Sequence, residues 1–258
     1  MIQPELYFYD FGEGVKAFSS TRHGGFSKGH YAAFNINHYC GDCDEDISKN
    51  RALLCQLLGI DEARLVMPHQ VHQTEVVAID KAFLGLSEEE QKARLEGVDA
   101  LMTDMAGVCI GVSTADCIPI LLYDKIHHAS CAIHAGWRGT VRRIAEKAVA
   151  QLSSVYGSRP ADLLAQIGPG IHLESFEVGD EVYEAFANEG FACDAVKMGT
   201  KWHIDLPACN RQQLLALGIP SGQINVSPID TFQQYDLYFS ARRQGINSGR
   251  IFTGILMA

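Results

Sequence analysis

The sequence predicts an α+β fold in which mixed β-sheets are packed by flanking helices. Three observations carry that expectation. Ten short runs read as strands and only five as helices. Several strand runs follow one another directly, so the strand–helix alternation of a doubly wound sheet is missing. No repeat, low-complexity segment or linker-like stretch divides the chain, so residues 1–258 are expected to form one domain.

In chain order, residues 6–10 and 15–19 read as strands. A helix is expected at 46–58, stopped by Gly59, because glycine takes the left-handed C-terminal position most easily. A strand follows at 76–79. The charged run "LSEEEQKARLE" at 86–96 comes after Gly85, with Ser87 as its N-cap, and reads as an exposed connector helix. Strands at 100–103, 108–113, 118–123 and 129–135 come in succession. Helices are expected at 140–155 and 180–189, with a strand at 164–167 between them. A helix at 207–217 stops at Gly218, and strands at 224–226 and 250–256 close the chain.

Composition bounds the function. Hydrophobic residues make up 47% and charged residues 20%, which is ordinary for a soluble globular enzyme. A chain this long buries a substantial core without disulfides. The net charge of −10 argues against a nucleic-acid groove as the main function, although a local arginine cluster can still hold a small anion. The eight cysteines stand at 40, 43, 55, 109, 117, 131, 193 and 209. The opening residues Met1-Ile2-Gln3-Pro4-Glu5 form no basic and apolar leader, so reduced thiols in a cytoplasmic protein are expected. The longest apolar stretch, 108–123, is interrupted by Asp116 and is too short to span a bilayer, so no membrane partner is expected.

The densest chemistry lies in "TADCIPILLYDKIHHASCAIHAGWRGT", residues 114–140. Its two apolar runs suit an antiparallel hairpin. With Lys125-Ile126 as a two-residue turn, Asp124 faces His127, Tyr123 faces His128 and Cys117 faces His134. Opposed side chains share a sheet face with Cβ atoms roughly 5 Å apart, close enough to share a metal or a proton. Lys-Ile is a poor turn pair, and Pro119 implies an edge strand or a bulge. The segment "PHQVHQTEV" adds His69 and His72, which in a strand would point to opposite faces, so one of them is expected to join the pair. One cysteine and two histidines make a zinc set with an open position. A single cysteine or histidine at a strand end is more often a packing residue. The turn Gly136-Trp137-Arg138-Gly139-Thr140 offers a guanidinium and helix-start amides to an anion, or a plain structural turn with Arg138 ion-paired. Cys40-Gly41-Asp42-Cys43 lacks a second such pair and reads as structural.

The motifs "STRHGGFSKGHYAAFNIN", "CGDCDEDISKNR", "QVH", "GVDALMTD", "STADCIPILLYD", "AIHAGWRGT", "IGPGIHLESFEVG" and "DLPACNRQQLLALGI" together resemble the YfiH/laccase-domain family, also described as multicopper polyphenol oxidase domain proteins or peptidoglycan editing factors. The resemblance keeps motif order over nearly the full chain. It implies a cytoplasmic α+β protein, similar to putative cysteine hydrolases, with zinc on His72, Cys117 and His134. It further implies phosphorolysis of adenosine, inosine and methylthioadenosine, with adenosine deamination. Gln73, Glu174-Ser175 and Asp230-Thr231 depart from the family's common residues, and Cys40 and Cys43 stand where Val and Asp are common. None of these touches the trio.

The leading expectation is therefore a purine nucleoside enzyme acting on nucleosides and phosphate. Cys117 and His134 are its central catalytic groups, and Asp116 serves as an acid or base or as the residue that orients a ligand. Arg138, Asn35 and Arg22 are the candidate substrate and phosphate contacts. A copper-dependent, laccase-like phenol oxidase is the second reading, weakened because a multicopper centre needs many more histidines than one trio supplies. A third is a hydrolase with Cys117 as nucleophile and His134 as base, acting in peptidoglycan precursor editing. A non-catalytic scaffold is the fourth. Metal content separates the first two from the third.

Overall fold

The computed structural model describes residues 3–191 and 194–258. Met1-Ile2, part of the leader reading, and Cys193, one of the eight thiols, lie outside the described residues. The strands are β1 (Leu6–Tyr9), β2 (Val15–Ser20), β3 (Leu65–Val66), β4 (Glu75–Ala78), β5 (Val98–Thr103), β6 (Cys109–Thr114), β7 (Ile118–Asp124), β8 (Ala129–Ala135), β9 (Leu163–Ile167), β10 (Glu177–Val178), β11 (Ala195–Met198), β12 (Lys201–Ile204), β13 (Ile224–Val226) and β14 (Ile251–Met257). The helices are α1 (Asp44–Leu58), α2 (Lys81–Leu84), α3 (Glu88–Leu95), α4 (Trp137–Val141), α5 (Ile144–Tyr156), α6 (Asp180–Asn188), α7 (Leu206–Ala216) and α8 (Ala241–Gln244).

The fold is α+β with mixed sheets, as the sequence predicts. One sheet has six strands in the order β13-β9-β7-β8-β5-β4, a second has five in the order β1-β2-β14-β6-β3, and a small third runs β10-β12-β11. The two large sheets face each other. Strand alternation shows how: Ile118, Ile120 and Leu122 of β7 point to one side, while Leu121 and Tyr123 point to the other. The first side packs on Ile144, Ala148 and Leu152 of α5 and on Leu206 and Leu214 of α7. The second meets Ala17, Ile110, Val112 and Ile255 of the five-stranded sheet. That sheet's outer face, with Phe18 and Phe252, is covered by Leu54 and Leu58 of α1. Helices thus enclose a sandwich of two sheets, and strands buried on both faces read as continuous apolar runs.

Most expected elements appear with ends moved by one or two residues. Ser87 caps α3 through a full capping box with Glu90, and Gly59 ends α1 in the left-handed conformation, as expected. The helix expected at 140–155 is broken into α4 and α5. The Thr140 carbonyl, which an unbroken helix would pair with Ile144, accepts from Gln213 Nε2 at 2.9 Å and Arg143 N at 3.1 Å. Arg143 then takes a left-handed conformation, φ 63°. The short elements β3, α2, β10, β11, β12 and α8 lie outside the sequence expectation.

The β7–β8 hairpin forms with a corrected register. Pro119, not Cys117, pairs with His134, and Asp124 pairs with Ala129. The loop has four residues, 125–128, because Asp124 organises it. Its carboxylate accepts from Ile126 N at 2.8 Å, from His127 N at 3.1 Å and from His127 Nδ1 at 2.8 Å. His128 closes the loop with φ 51°. Pro119 is also not on an edge: β7 lies between β9 and β8. The proline is tolerated because the ladder to β9 begins only at Ile120, and Gly168 N donates to the Pro119 carbonyl beyond its end. The error of two residues keeps side-chain parity, so Cys117 and His134 still share a face. Replacing the fully buried Asp124 with Ala strands these donors, and we expect a loss of about 1–3 kcal/mol in urea unfolding. An unchanged midpoint would mean that the turn does not depend on this carboxylate.

Candidate metal centre

Three strand ends and one loop build the site. His134 lies near the end of β8, on the face that looks toward the five-stranded sheet with Ala132. On one side of it, Cys117 immediately precedes β7. On the other, the β5–β8 register, with Ala100 opposite Ile133, extended by one residue, brings Asp99 opposite His134. His134 Nδ1 donates to Asp99 Oδ1 at 2.6 Å, which leaves Nε2 to face outward.

His72 arrives on a loop, not on a strand, and its backbone is left-handed at φ 62°. Asp99 holds that loop too. Its carboxylate accepts from His72 N at 3.0 Å, Gln73 N at 2.7 Å and Val71 N at 3.3 Å. Gln70 pins the loop's other end by pairing with Ser113 as a strand would, accepting from its N–H and donating to its carbonyl at 2.8 Å each. His69, three residues away, is turned to Glu96 and does not join the trio.

The ligating atoms of His72, Cys117 and His134 all lie within 4.8 Å of one another, the one group of this kind among the described residues. His72 Nε2 is 3.7 Å from Cys117 Sγ, and the two imidazoles meet edge to face at 4.8 Å between centroids. Donors around a tetrahedral zinc, with bonds of about 2.0–2.3 Å, are separated by roughly 3.3–3.8 Å, so the spacing fits after a small closure. Gly136 keeps that space open: a Cβ there would come within 3.0 Å of both Cys117 Sγ and His72 Cδ2. One soft thiolate, two imidazoles and a carboxylate behind one imidazole are the donor set of a metal centre with an open position.

The electrostatics agree. Burial alone would raise the Cys117 thiol, but the charge and hydrogen bond of His134, then those of His72, bring it down to about 6. Burial would lower His134, yet the Cys117 charge and the Asp99 hydrogen bond lift it to about 9. Asp99 is held below the usual carboxylate range: burial opposes this, and His134 with the loop amides outweighs it. A cavity of about 300 Å³ opens over the trio, and its walls include Tyr39, His69, Thr114, Ile246 and Arg250.

The other expected site residues lie elsewhere. Asp116, φ 83°, has both carboxylate oxygens occupied, accepting from Thr231 Oγ1 at 2.8 Å and Arg242 N at 2.7 Å. Burial raises its pKa. It fixes the backbone beside Cys117 and does not line the cavity. Arg138 is exposed, with its guanidinium over the Trp137 ring at 4.3 Å, and is also not a wall residue. The Thr140 amide donates to the Gly136 carbonyl and is not free for an anion. Arg22 donates to the Ala32 and Tyr235 carbonyls, and Asn35 spends its amide on Asp42, Cys40 and Arg250 N. Both hold loops through these contacts, and neither lines the cavity over the trio. Asp99 is the residue the sequence reading missed. Its signal was the "GVDALMTD" motif, where a lone acid opens an apolar strand.

An oriented Cys/His/His cluster of this kind defines an enzyme-type site able to bind a metal. The chain belongs to the family described as multi-copper polyphenol oxidoreductase laccase, whose model matches residues 16–258. It is 45% identical over 247 residues to a purine nucleoside phosphorylase of Bacteroides thetaiotaomicron, covering 94% of this chain and 92% of that one. It is equally 45% identical over 247 residues to adenosine deaminase RL5 from an unknown prokaryotic organism, covering 94% of each. The solved structure of hypothetical protein YfiH from Bacillus licheniformis matches with a TM-score of 0.92 at 27% identity, covering 99% of this chain and 97% of that one. No helix of the described residues is long and apolar enough to cross a membrane.

Two outcomes are expected. Asp99→Asn should weaken metal binding by about 10–100-fold in competition with a chromogenic chelator, because the carboxylate orients His134 and the His72 loop together. Unchanged affinity would show that the ligands hold themselves. In chelator-treated protein, Cys117 should react with iodoacetamide with a midpoint near pH 6, read by peptide mapping; a midpoint near 9 would mean that the imidazoles do not stabilise the thiolate.

Proposed function

We propose that the chain is a single-domain cytoplasmic purine nucleoside enzyme. It carries out phosphorolysis of adenosine, inosine and methylthioadenosine to the base and the (methylthio)ribose 1-phosphate, with adenosine deamination as a further activity. One observation carries the reading: a metal-capable Cys/His/His cluster floors a cavity of about 300 Å³ in a chain whose two 45%-identical relatives are named for purine nucleoside reactions.

His72, Cys117 and His134 would hold zinc, which when bound supplies Lewis acidity for attack of water at C6 of adenine. Asp99 keeps His134 in the tautomer whose Nε2 faces the ligand side. The cavity walls, apolar at Ala115, Ala241 and Ile246, limit water around a bound nucleoside. Phosphate is assigned to Arg138, which lies outside the cavity wall but is exposed, has no acidic partner among the described residues and follows Gly136 at the cluster by two positions. The same three donors accept copper, but one trio is too few for a multicopper centre.

A second reading is favoured by a specific observation. Asp99, His134 and Cys117 stand in the order orienter, base and nucleophile, with the thiol pulled down and the imidazole raised. That is the arrangement of a metal-free cysteine hydrolase, consistent with amide or ester cleavage in peptidoglycan precursor editing.

The test is product chromatography of purified protein with adenosine, with and without phosphate, after metal analysis. We expect adenine and ribose 1-phosphate with phosphate, slower formation of inosine without it, and loss of both in Cys117→Ala. A wild-type enzyme holding zinc at one per chain and making neither product would overturn the nucleoside reading. Full activity in metal-stripped protein would show that the thiol–imidazole pair serves the nucleoside reaction without a metal.

A further inference from the structure

We propose that His69 is the general acid that protonates the leaving purine during phosphorolysis. The proposal rests on the nucleoside reading above and adds a catalytic residue to it.

His69 shares the cavity with the trio but belongs to a different apparatus. Its Nδ1 faces both oxygens of Glu96, at 2.8 and 2.9 Å. The backbone holds the two residues together, because His69 N donates to the Leu95 carbonyl and Gly97 N to the His69 carbonyl, on either side of Glu96. The Tyr39 ring lies over the imidazole at 4.1 Å and 17°. A carboxylate therefore fixes which nitrogen carries the inner proton, and a stacked ring fixes the plane. Nε2 is left without a partner among the described residues. A buried structural histidine would have both nitrogens committed, whereas this side chain is one-third exposed and opens on the cavity. The built feature is thus an oriented imidazole with one free nitrogen.

The reaction needs such a group. In phosphorolysis a phosphate oxygen bonds to C1′ of the ribose while the C1′–N9 bond breaks and its electron pair goes to the base. An unprotonated purine is a poor leaving group, and a proton delivered to N7 lets it depart neutral. Histidine exchanges protons near neutral pH. The Nε2 proton passes to the base, the imidazole keeps its Nδ1 proton on Glu96, and solvent restores the other. No other wall group is suited. The three ligands are committed to the metal, Arg250 is permanently charged and donates to the carbonyls of residues 246, 248 and 249, and burial raises the Tyr39 and Cys40 pKa values. Asp116, the sequence candidate for acid or base, has both oxygens occupied. Glu96 acts through His69 and is a positioning residue.

The experiment compares two substrates that differ only in their need for a proton. Inosine requires protonation of the leaving base, whereas 7-methylinosine already carries positive charge on its base and requires none. His69→Gln should lower kcat for inosine phosphorolysis by about 10²–10⁴-fold and leave 7-methylinosine within a few-fold of wild type, with one metal per chain and an unchanged melting profile. Glu96→Gln should lower kcat for inosine less, at unchanged KM, and again spare 7-methylinosine. Equal losses on both substrates, or none on either, would overturn the assignment while leaving the nucleoside reading in place. A wild-type protein that phosphorolyses neither substrate would overturn both.

Discussion

The carboxylate of Asp99 is the group on which the site depends. It is fully buried, yet it does not act as a catalytic acid would, because every contact recorded for it is with a donor. Three backbone amides of the 71–73 loop and one imidazole converge on it. The loop amides set where His72 lies, and the imidazole bond sets how His134 is turned. Two ligands from distant parts of the chain are positioned by one side chain. A buried carboxylate without such donors would cost several kcal/mol, so the loop and the ion stabilise each other.

The sandwich explains why this occurs at a strand end. Between the sheets the inward faces are filled mainly by apolar side chains such as Leu101, Leu121, Ala132, Ile110 and Val112, and inward polar groups such as Ser19 and Thr253 pair with each other. Asp99, Cys117 and His134 have the same inward parity but lie at the margin where β5 and β8 begin and end and β7 has not yet started. The fold therefore delivers three inward-pointing polar side chains to a margin where they meet one another and the loop of His72. Gln70 and Asn37, both bonded to Ser113, close the margin from the five-stranded sheet.

Parity was legible in the sequence; register was not. The apolar runs around Cys117 and His134 define which side chains share a face, and that survives a slip of two residues. The slip itself came from the turn. Spacing alone suggests a two-residue Lys-Ile turn, whereas Asp124 sets a four-residue loop through contacts of its buried carboxylate. The break between α4 and α5 was hidden for a similar reason: the competing acceptor for the Thr140 carbonyl is Gln213, 73 residues away. Strand spacing alone leaves His69 and His72 as alternatives and only the family resemblance names His72; the two lie on a loop, where a left-handed His72 separates them. Asp99 escaped notice because its importance lies in partners from three separate segments. The strands β11 and β12 mix lysine with apolar residues and pair mainly with one another and with β10, so they carry little periodic signal.

The Cys117–His134 pair also shows why one arrangement supports both a metal centre and a thiol nucleophile. With the thiol drawn down to about 6 and the imidazole lifted to about 9, the pair shares a single proton across neutral pH, held as thiolate and imidazolium. His72, Cys117 and His134 would offer a metal a thiolate already formed, so that only the imidazolium proton would need to leave. Binding would therefore release one proton while the pair stands as thiolate and imidazolium, and a second only at lower pH, where the thiol is also protonated. The same charge separation is what a nucleophilic cysteine requires. The position of His72 is what separates the two chemistries. Placed 3.7 Å from the sulfur by the Asp99-bound loop, it adds a third donor that a simple nucleophile–base pair does not need. The structure commits two segments and a buried carboxylate to bringing it there, which completes a group able to hold a metal.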